Sequence, residues 1–241
     1  MSSNQVISIE WPCDSVVASV RCERRVSQVL HRRGEWGRGR DLPEHRTREI
    51  MDTCEANGMD LYQALSLRRS MLRAQPGGMR RVSQSSQMGN GQGQDQVARL
   101  FEEAVSYVKA AISQNDASLD LSTMLRSEKQ LLQEMKSGKR PRGPTPDILF
   151  LSPVQIDGQI VKWIDAKLYY ASSMFANEPR IPNGKLQKTA MRYNSFYGGK
   201  GAFVFGRGFC ADLTRVVTGA LLLDSTPLDM TAVERFQDEQ T

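Results

Sequence analysis

An Asp157-Gly158 pair stands between two short apolar runs, residues 148–151 and 160–166, and nothing else in the chain constrains its fold as much. Asp-Gly supplies the positive φ angles of a tight hairpin turn, and runs rich in Ile, Leu, Val and Trp suit pleated strands. Two antiparallel strands are therefore expected here. Upstream, Val97, Leu100, Phe101, Ala104, Val108 and Ala111 recur at spacings of three and four, which predicts an amphipathic helix. Residues 121–135 read as a second helix and residues 186–196 as a third, ended by Gly198-Gly199; residues 202–205 read as a further strand. The order helix, helix, strand, strand, helix, strand predicts an α/β domain over residues 97–241, a mixed β-sheet flanked by helices.

Residues 1–73 have a different character: basic, irregular at first, with Gly34, Gly37 and Gly39 in an Arg-rich stretch. Residues 46–55 and 60–73 predict two helices separated by Asn57-Gly58. With Arg68, Arg69 and Arg73 on the second, the pair fits a DNA-reading helix-turn-helix. An ordinary helical hairpin with a solvated basic face is the favoured reading of the same pattern. Residues 74–96 predict a mobile linker, because their Ser, Gln, Gly and Asn cannot bury enough apolar surface to offset chain entropy.

The net charge of +5 suits a polyanionic partner. Apolar runs such as residues 216–223 are far too short to span a bilayer, and the first ten residues lack the basic and apolar regions of a signal peptide. An intracellular protein without membrane association is expected. Cys13, Cys22, Cys54 and Cys210 form no C-x-x-C pair, so reduced thiols are expected; zinc held by Cys13, Cys22, His31 and His45 would match no familiar spacing.

The chemistry concentrates in Thr145-Pro146-Asp147, leading into the first strand, and Trp163-Ile164-Asp165-Ala166-Lys167 in the second. Phosphodiester hydrolysis adds hydroxide to an anionic centre, which divalent metal ions make feasible. Mg²⁺ favours hard oxygen ligands, often one or two carboxylates, and Asp147 and Asp165 are the candidates. Lys167, two residues past Asp165, shares its face and can orient the attacking water.

This assignment carries a condition. Across an antiparallel hairpin, the position numbers of facing residues have a constant sum. A strict two-residue turn at Asp157-Gly158 makes that sum odd and puts Asp147 on the opposite face from Asp165 and Lys167. Co-facing carboxylates need an even sum, hence a three-residue loop near Asp157 or a bulge, with Pro153 a plausible site for the bulge.

Thr145-Pro146-Asp147-Ile148-Leu149-Phe150, Pro153-Val154, Gly158 and the Trp163–Lys167 run resemble the TPD-motif family of the PD-(D/E)xK nuclease superfamily, which includes the codanin-interacting nuclease of animals. Tyr193-Asn194-Ser195-Phe196, Gly199 and Gly201-Ala202-Phe203-Val204 are similar to that family's helix and following strand, so the resemblance covers about residues 97–213. It implies a restriction-endonuclease-like fold and a Mg²⁺-dependent nuclease, with Mn²⁺ able to substitute, acting on DNA more than RNA. It also implies a third metal-binding carboxylate on the first helix, Glu102 or Glu103 with Glu102 favoured, and an assisting Gln187 or Lys188, between which the alignment does not choose. The stretch between that helix and Glu128-Lys129-Gln130-Leu131 is longer here than in those relatives.

Lys136, Lys139, Arg140 and Arg142 precede Asp147, where a duplex backbone would approach. Tyr169, Tyr170 and Phe175 would either stack on bases or pack the core. A codanin-like partner and a nuclear location are further implications of the resemblance. The alternative reading is an inactive nuclease-fold module that binds nucleic acid or such a partner.

Overall fold

The expected hairpin is the centre of the molecule. In the computed structural model, which describes residues 6–31, 44–75, 92–115 and 121–231, strands β4 (Ile148–Ile156) and β5 (Gln159–Lys167) pair antiparallel. Asp157 and Gly158 form the turn with φ angles of 47° and 79°, the left-handed pair that a two-residue hairpin of this twist demands. Asp157 also accepts a hydrogen bond from the Trp11 N–H at 2.8 Å and donates its own N–H to the Ile9 carbonyl at 3.1 Å. Its backbone thereby ties the turn to strand β1 (Ile7–Ile9), and its side chain ties it to Trp11 just beyond.

Beyond the hairpin the sheet is mixed. β5 pairs parallel with β6 (Gly201–Phe205), and β6 parallel with β8 (Ala220–Asp224). β1 lies parallel to the turn end of β4, while the short β3 (Leu125–Ser127) lies antiparallel to its other end. A separate two-stranded sheet joins β2 (Val16–Val17) to β7 (Phe209–Cys210).

Helices cover both faces. Helix α1 spans Val20–Leu30, α2 Glu44–Glu55, α3 Leu61–Ala74 and α4 Gln92–Asn115. A single turn, α5 (Leu121–Met124), precedes β3; α6 (Glu128–Lys136) follows it, and α7 (Leu186–Tyr197) follows the hairpin. Leu100, Ala104, Val108 and Ile112 of α4 pack with Ile148, Phe150, Ile164, Ala166 and Val204 on one face. On the other, Leu131 of α6 and Leu186, Ala190 and Tyr193 of α7 pack with Leu149, Trp163, Phe203 and Phe205. The alternation of β5, with Ile164 on one side and Trp163 on the other, is what assigns its functional residues to a face.

Trp163 anchors the second face. It is fully buried, its indole N–H donates to Asn194 Oδ1 at 2.9 Å, and Asn194 in turn donates to the Gly219 carbonyl at 2.7 Å. Gly201 lies so close beneath the indole that a Cβ there would stand 2.0 Å from Trp163 Cδ2.

Several expectations need correction. The helix expected over residues 121–135 is broken by β3, because residues 125–127 find a partner edge on β4 that no local pattern announces. Ser127 caps the helix that follows, in a box with Gln130. α4 begins at Gln92, inside the expected linker; residues 76–91 of that linker lie outside the described residues, as does the Arg-rich stretch around Gly34, Gly37 and Gly39. The N-terminal stretch is built into the domain: β1 joins the main sheet, Trp11 donates its indole N–H to the Asp224 carbonyl at 2.9 Å, and Ser15 N–H donates to Asp224 Oδ2 at 2.6 Å. α2 and α3 form where expected and pack with α1, Val17, Tyr170 and Cys210. Among the described residues, no helix is long and apolar enough to cross a membrane.

Candidate functional site

The parity condition is met by a bulge. Next to the turn the pairs are Ile156↔Gln159, Gln155↔Ile160 and Val154↔Val161, an odd sum; past the irregularity they are Leu149↔Trp163 and Ile148↔Ile164, an even one. Residues 150–153 of β4 thus stand opposite Lys162 alone, with Pro153 among them. The turn keeps its strict two residues, so the three-residue loop does not form. Continuing the register by one residue sets Asp147 opposite Asp165, with Lys167 on the same face.

The Asp147 side chain is held firmly. Its Oδ2 accepts the Ala166 backbone N–H at 2.6 Å, and its carbonyl accepts the Glu128 N–H at 3.0 Å. The preceding residues are pinned from α6 and α7. Thr145 Oγ1 donates to Glu128 Oε1 at 3.0 Å, the Tyr193 hydroxyl donates to the Thr145 carbonyl at 3.2 Å, and the Tyr197 hydroxyl donates to the Pro144 carbonyl.

Asp165 is only 4% exposed. Its Oδ2 lies 2.6 Å from Lys167 Nζ, yet accepts no hydrogen bond of sound geometry. Burial, and after it the charge of Asp165, pushes the Asp147 carboxyl up to about 7; two carboxylates in one desolvated place resist ionising together. Burial, then the charges of Asp165, Asp147 and Glu128, likewise raises the Tyr193 phenol. The Tyr169 hydroxyl, two residues beyond Lys167, is buried with no hydrogen-bond partner, and burial with the Asp165 charge raises it too.

This arrangement suits a hard divalent cation. It offers two carboxylates, a buried oxygen without a hydrogen bond, and mutual repulsion that a positive charge would relieve; the Lys167 ammonium already stands where that charge is needed. Among the described residues, no three His, Cys, Asp or Glu side chains are gathered closely enough to hold a metal ion.

The other expected residues lie elsewhere. Glu102 is exposed on α4, whose buried face covers the side of the sheet away from Asp147 and Asp165; Glu103 beside it is half-buried. Lys188 is exposed on the first turn of α7. Gln187 is engaged with Thr218, accepting its backbone N–H at 3.0 Å. Of the basic residues before Asp147, Lys136, Lys139 and Arg142 are exposed, whereas Arg140 is paired with Glu134 at 3.0 Å. Tyr170 is wholly buried and Phe175 packs against the N-terminal cluster, which places both in the core. Cys13, Cys22, His31 and His45 form no cluster. A surface cavity of about 400 Å³ lined by Arg126, Gln130, Gln133, Glu134, Ser137 and Lys139 does not include the carboxylate pair.

Two contributors escaped the sequence reading. Tyr193 was noted only as part of a matching run, and Glu128 only as a landmark. The capping pattern Ser127-x-x-Gln130 was the available signal, since it marks Glu128 as the first residue of a helix that starts beside the Thr-Pro-Asp segment.

A mixed sheet flanked by helices, with two carboxylates and a lysine brought to one face by a bulged hairpin, defines an α/β protein with a candidate divalent-cation site. The chain belongs to the family described as "Protein of unknown function TPD sequence-motif", whose model matches residues 102–226. No curated protein and no solved structure matches it.

Proposed function

We propose that this protein is a metal-dependent nuclease that hydrolyses phosphodiester bonds in DNA, of the PD-(D/E)xK type and related to the codanin-interacting nuclease. The observation that carries the reading is the register shift between Leu149 and Val154, which turns Asp147 onto the face of Asp165 and Lys167. An ordinary hairpin has no need of such an irregularity, and a carboxylate site does.

Asp147 and Asp165 would hold Mg²⁺ or Mn²⁺; when bound there, the ion lowers the pKa of water and neutralises charge on the phosphate. The chain's own groups do the rest. The Ala166 N–H fixes Asp147 Oδ2, so one carboxylate is oriented before any ligand arrives. The Lys167 ammonium, half-buried, orients the attacking water and offsets the negative charge that develops on the phosphate. Lys136, Lys139 and Arg142 supply exposed positive charge on the segment leading to Asp147, suited to contacts with a phosphate backbone that do not read sequence.

Labelled single-stranded, duplex and branched DNAs, incubated with Mg²⁺, Mn²⁺ or chelator, test the reading. Cutting that needs the metal and disappears in Asp147→Ala supports it. Cutting by the variant at the wild-type rate, or none by the wild type, would sink it and favour an inactive binding module.

A further inference from the structure

We propose that Arg140 and Lys139, set in place by Glu134, grip the phosphate backbone of the DNA strand beside the bond to be cut. The inference rests on the nuclease reading and adds to it where the substrate is held.

Glu134 of α6 joins two guanidiniums that are distant in the chain. Its Oε1 accepts Arg126 Nε at 2.7 Å, and its Oε2 accepts Arg140 Nε at 3.0 Å. Its backbone carbonyl accepts the N–H groups of Lys139 and Arg140 at 2.9 and 3.2 Å, which folds the basic segment back onto the end of α6. The three side chains are only about a quarter exposed: 26% for Arg126, 25% for Arg140 and 24% for Glu134. Arg126 first, then Arg140, hold the Glu134 carboxyl below its ordinary value, so all three carry charge at neutral pH.

Such a cluster differs from a run of solvated lysines. A free cation gives up the entropy of a long side chain when it settles on a phosphate. Arg140 is already held, and among the described residues its side chain bonds through Nε alone, which leaves both Nη groups to meet phosphate oxygens. One carboxylate does not balance Arg126, Arg140 and Lys139, and residues 136–142 contain four basic residues and no acidic one. A series of positive charges leading to the carboxylate pair fits a chain of phosphates better than a single anion.

The cluster also lies on the right face. β3 pairs Arg126 with Leu149, and the same register continued by two residues sets Glu128 opposite Asp147, whose carbonyl accepts its N–H. Arg126 and Asp147 are therefore diagonal neighbours on one face, about 7–8 Å apart. Arg140 reaches the Thr-Pro-Asp segment from the other direction. Burial raises the Tyr197 phenol, the charge of Arg140 opposes that rise, and the same phenol donates to the Pro144 carbonyl. The cavity of about 400 Å³ lined by Arg126, Glu134 and Lys139 opens at this cluster, with Gln130, Gln133 and Ser137 as further hydrogen-bonding groups. It admits a phosphate with its ester oxygens.

The test is fluorescence anisotropy of two labelled duplexes of unrelated sequence, titrated with the full chain over about 50–200 mM salt. Chelator is present, so that nothing is cut. Arg140→Gln and Lys139→Gln are each expected to raise Kd several-fold on both sequences and to reduce the salt slope by about one. Arg48→Gln, which removes a charge 71% exposed on α2, is expected to stay close to wild type. Glu134→Gln separates positioning from charge. Loss of a negative charge alone would tighten binding, whereas loss of the group that holds Arg140 is expected to weaken it several-fold. Should Glu134→Gln fail to fold, the Arg140 and Lys139 variants decide alone. The proposal is overturned by wild-type affinity in both of those variants, by tighter binding in a folded Glu134→Gln, or by a loss confined to one sequence. Metal-dependent cutting by wild type in a parallel assay would leave the nuclease reading standing in each of these cases. Wild type that binds neither duplex also overturns the proposal, and cleavage then judges the nuclease reading separately.

Discussion

Replacing Asp147 by Asn should make the metal-free protein more stable at pH 8 while destroying its function. Burial and the neighbouring Asp165 raise the Asp147 carboxyl from 3.8 to about 7. A carboxyl whose folded value is raised favours folding in its protonated form, so its contribution is intact below pH 4 and is lost as pH climbs through 7. A difference of about 3 pH units at ~1.4 kcal/mol each sets an upper bound of roughly 4 kcal/mol. Solvent that still reaches Asp147 screens the charge and brings this to about 2 kcal/mol. Asn keeps an oxygen to accept the Ala166 N–H, which limits any opposing loss. For a chain of this size, about 2 kcal/mol corresponds to roughly 4–8 °C in Tm. Calorimetry or circular dichroism with chelator present, at pH 4 and pH 8, reads the effect. The variant should gain at pH 8 and match wild type at pH 4. A variant that is less stable at pH 8, or whose gain is the same at both pH values, would show that Asp147 is not held in a charge-disfavouring place.

Two further substitutions test the scaffold around the site. Gly201→Ala would place a methyl 2.0 Å from Trp163 Cδ2 within a buried strand; a loss of about 1–3 kcal/mol is expected, as for other overpacked cores, and an unchanged Tm would contradict the close approach of β6 to the indole. Tyr169→Phe removes a buried hydroxyl that has no partner, so the metal-free protein should gain about 1 kcal/mol; a loss in chemical denaturation would mean that the hydroxyl is satisfied.

The features legible in the sequence were those set by local chemistry. Asp157-Gly158 specified the turn, and the apolar runs on either side specified the strands. The helix over residues 186–196 extends to Tyr197, where Gly198 with φ of 72° closes it. The parity of the hairpin was also legible once a function was assumed, and it called for the irregularity that Pro153 marks. What stayed hidden depends on partners far along the chain. β1 exists because Ile7–Ile9 finds the free edge of β4 and because Asp157 and Asp224 capture Trp11, the latter at a separation of 213 residues. The run at residues 216–223 shows only that it is too short for a bilayer; its last four residues open β8, which pairs with β6, a choice that only the assembled sheet makes. The periodicity of α4 identified its buried stripe and left open which side of the sheet that stripe would cover. Glu102 was therefore put forward by the family resemblance alone, while the hydrogen bond from the Glu128 N–H to the Asp147 carbonyl emerged only from the fold.

The measurement that bears most directly on the nuclease account is Lys167→Ala, followed by two readouts on the same preparation. Lys167 pairs with Asp165 Oδ2 at 2.6 Å and is assigned to orient the attacking water, not to hold the metal. The variant should therefore keep or strengthen its Mn²⁺-induced rise in Tm and lose metal-dependent cleavage of DNA by at least about a hundredfold. Cleavage at the wild-type rate by a folded, Mn²⁺-responsive Lys167→Ala protein would contradict the account.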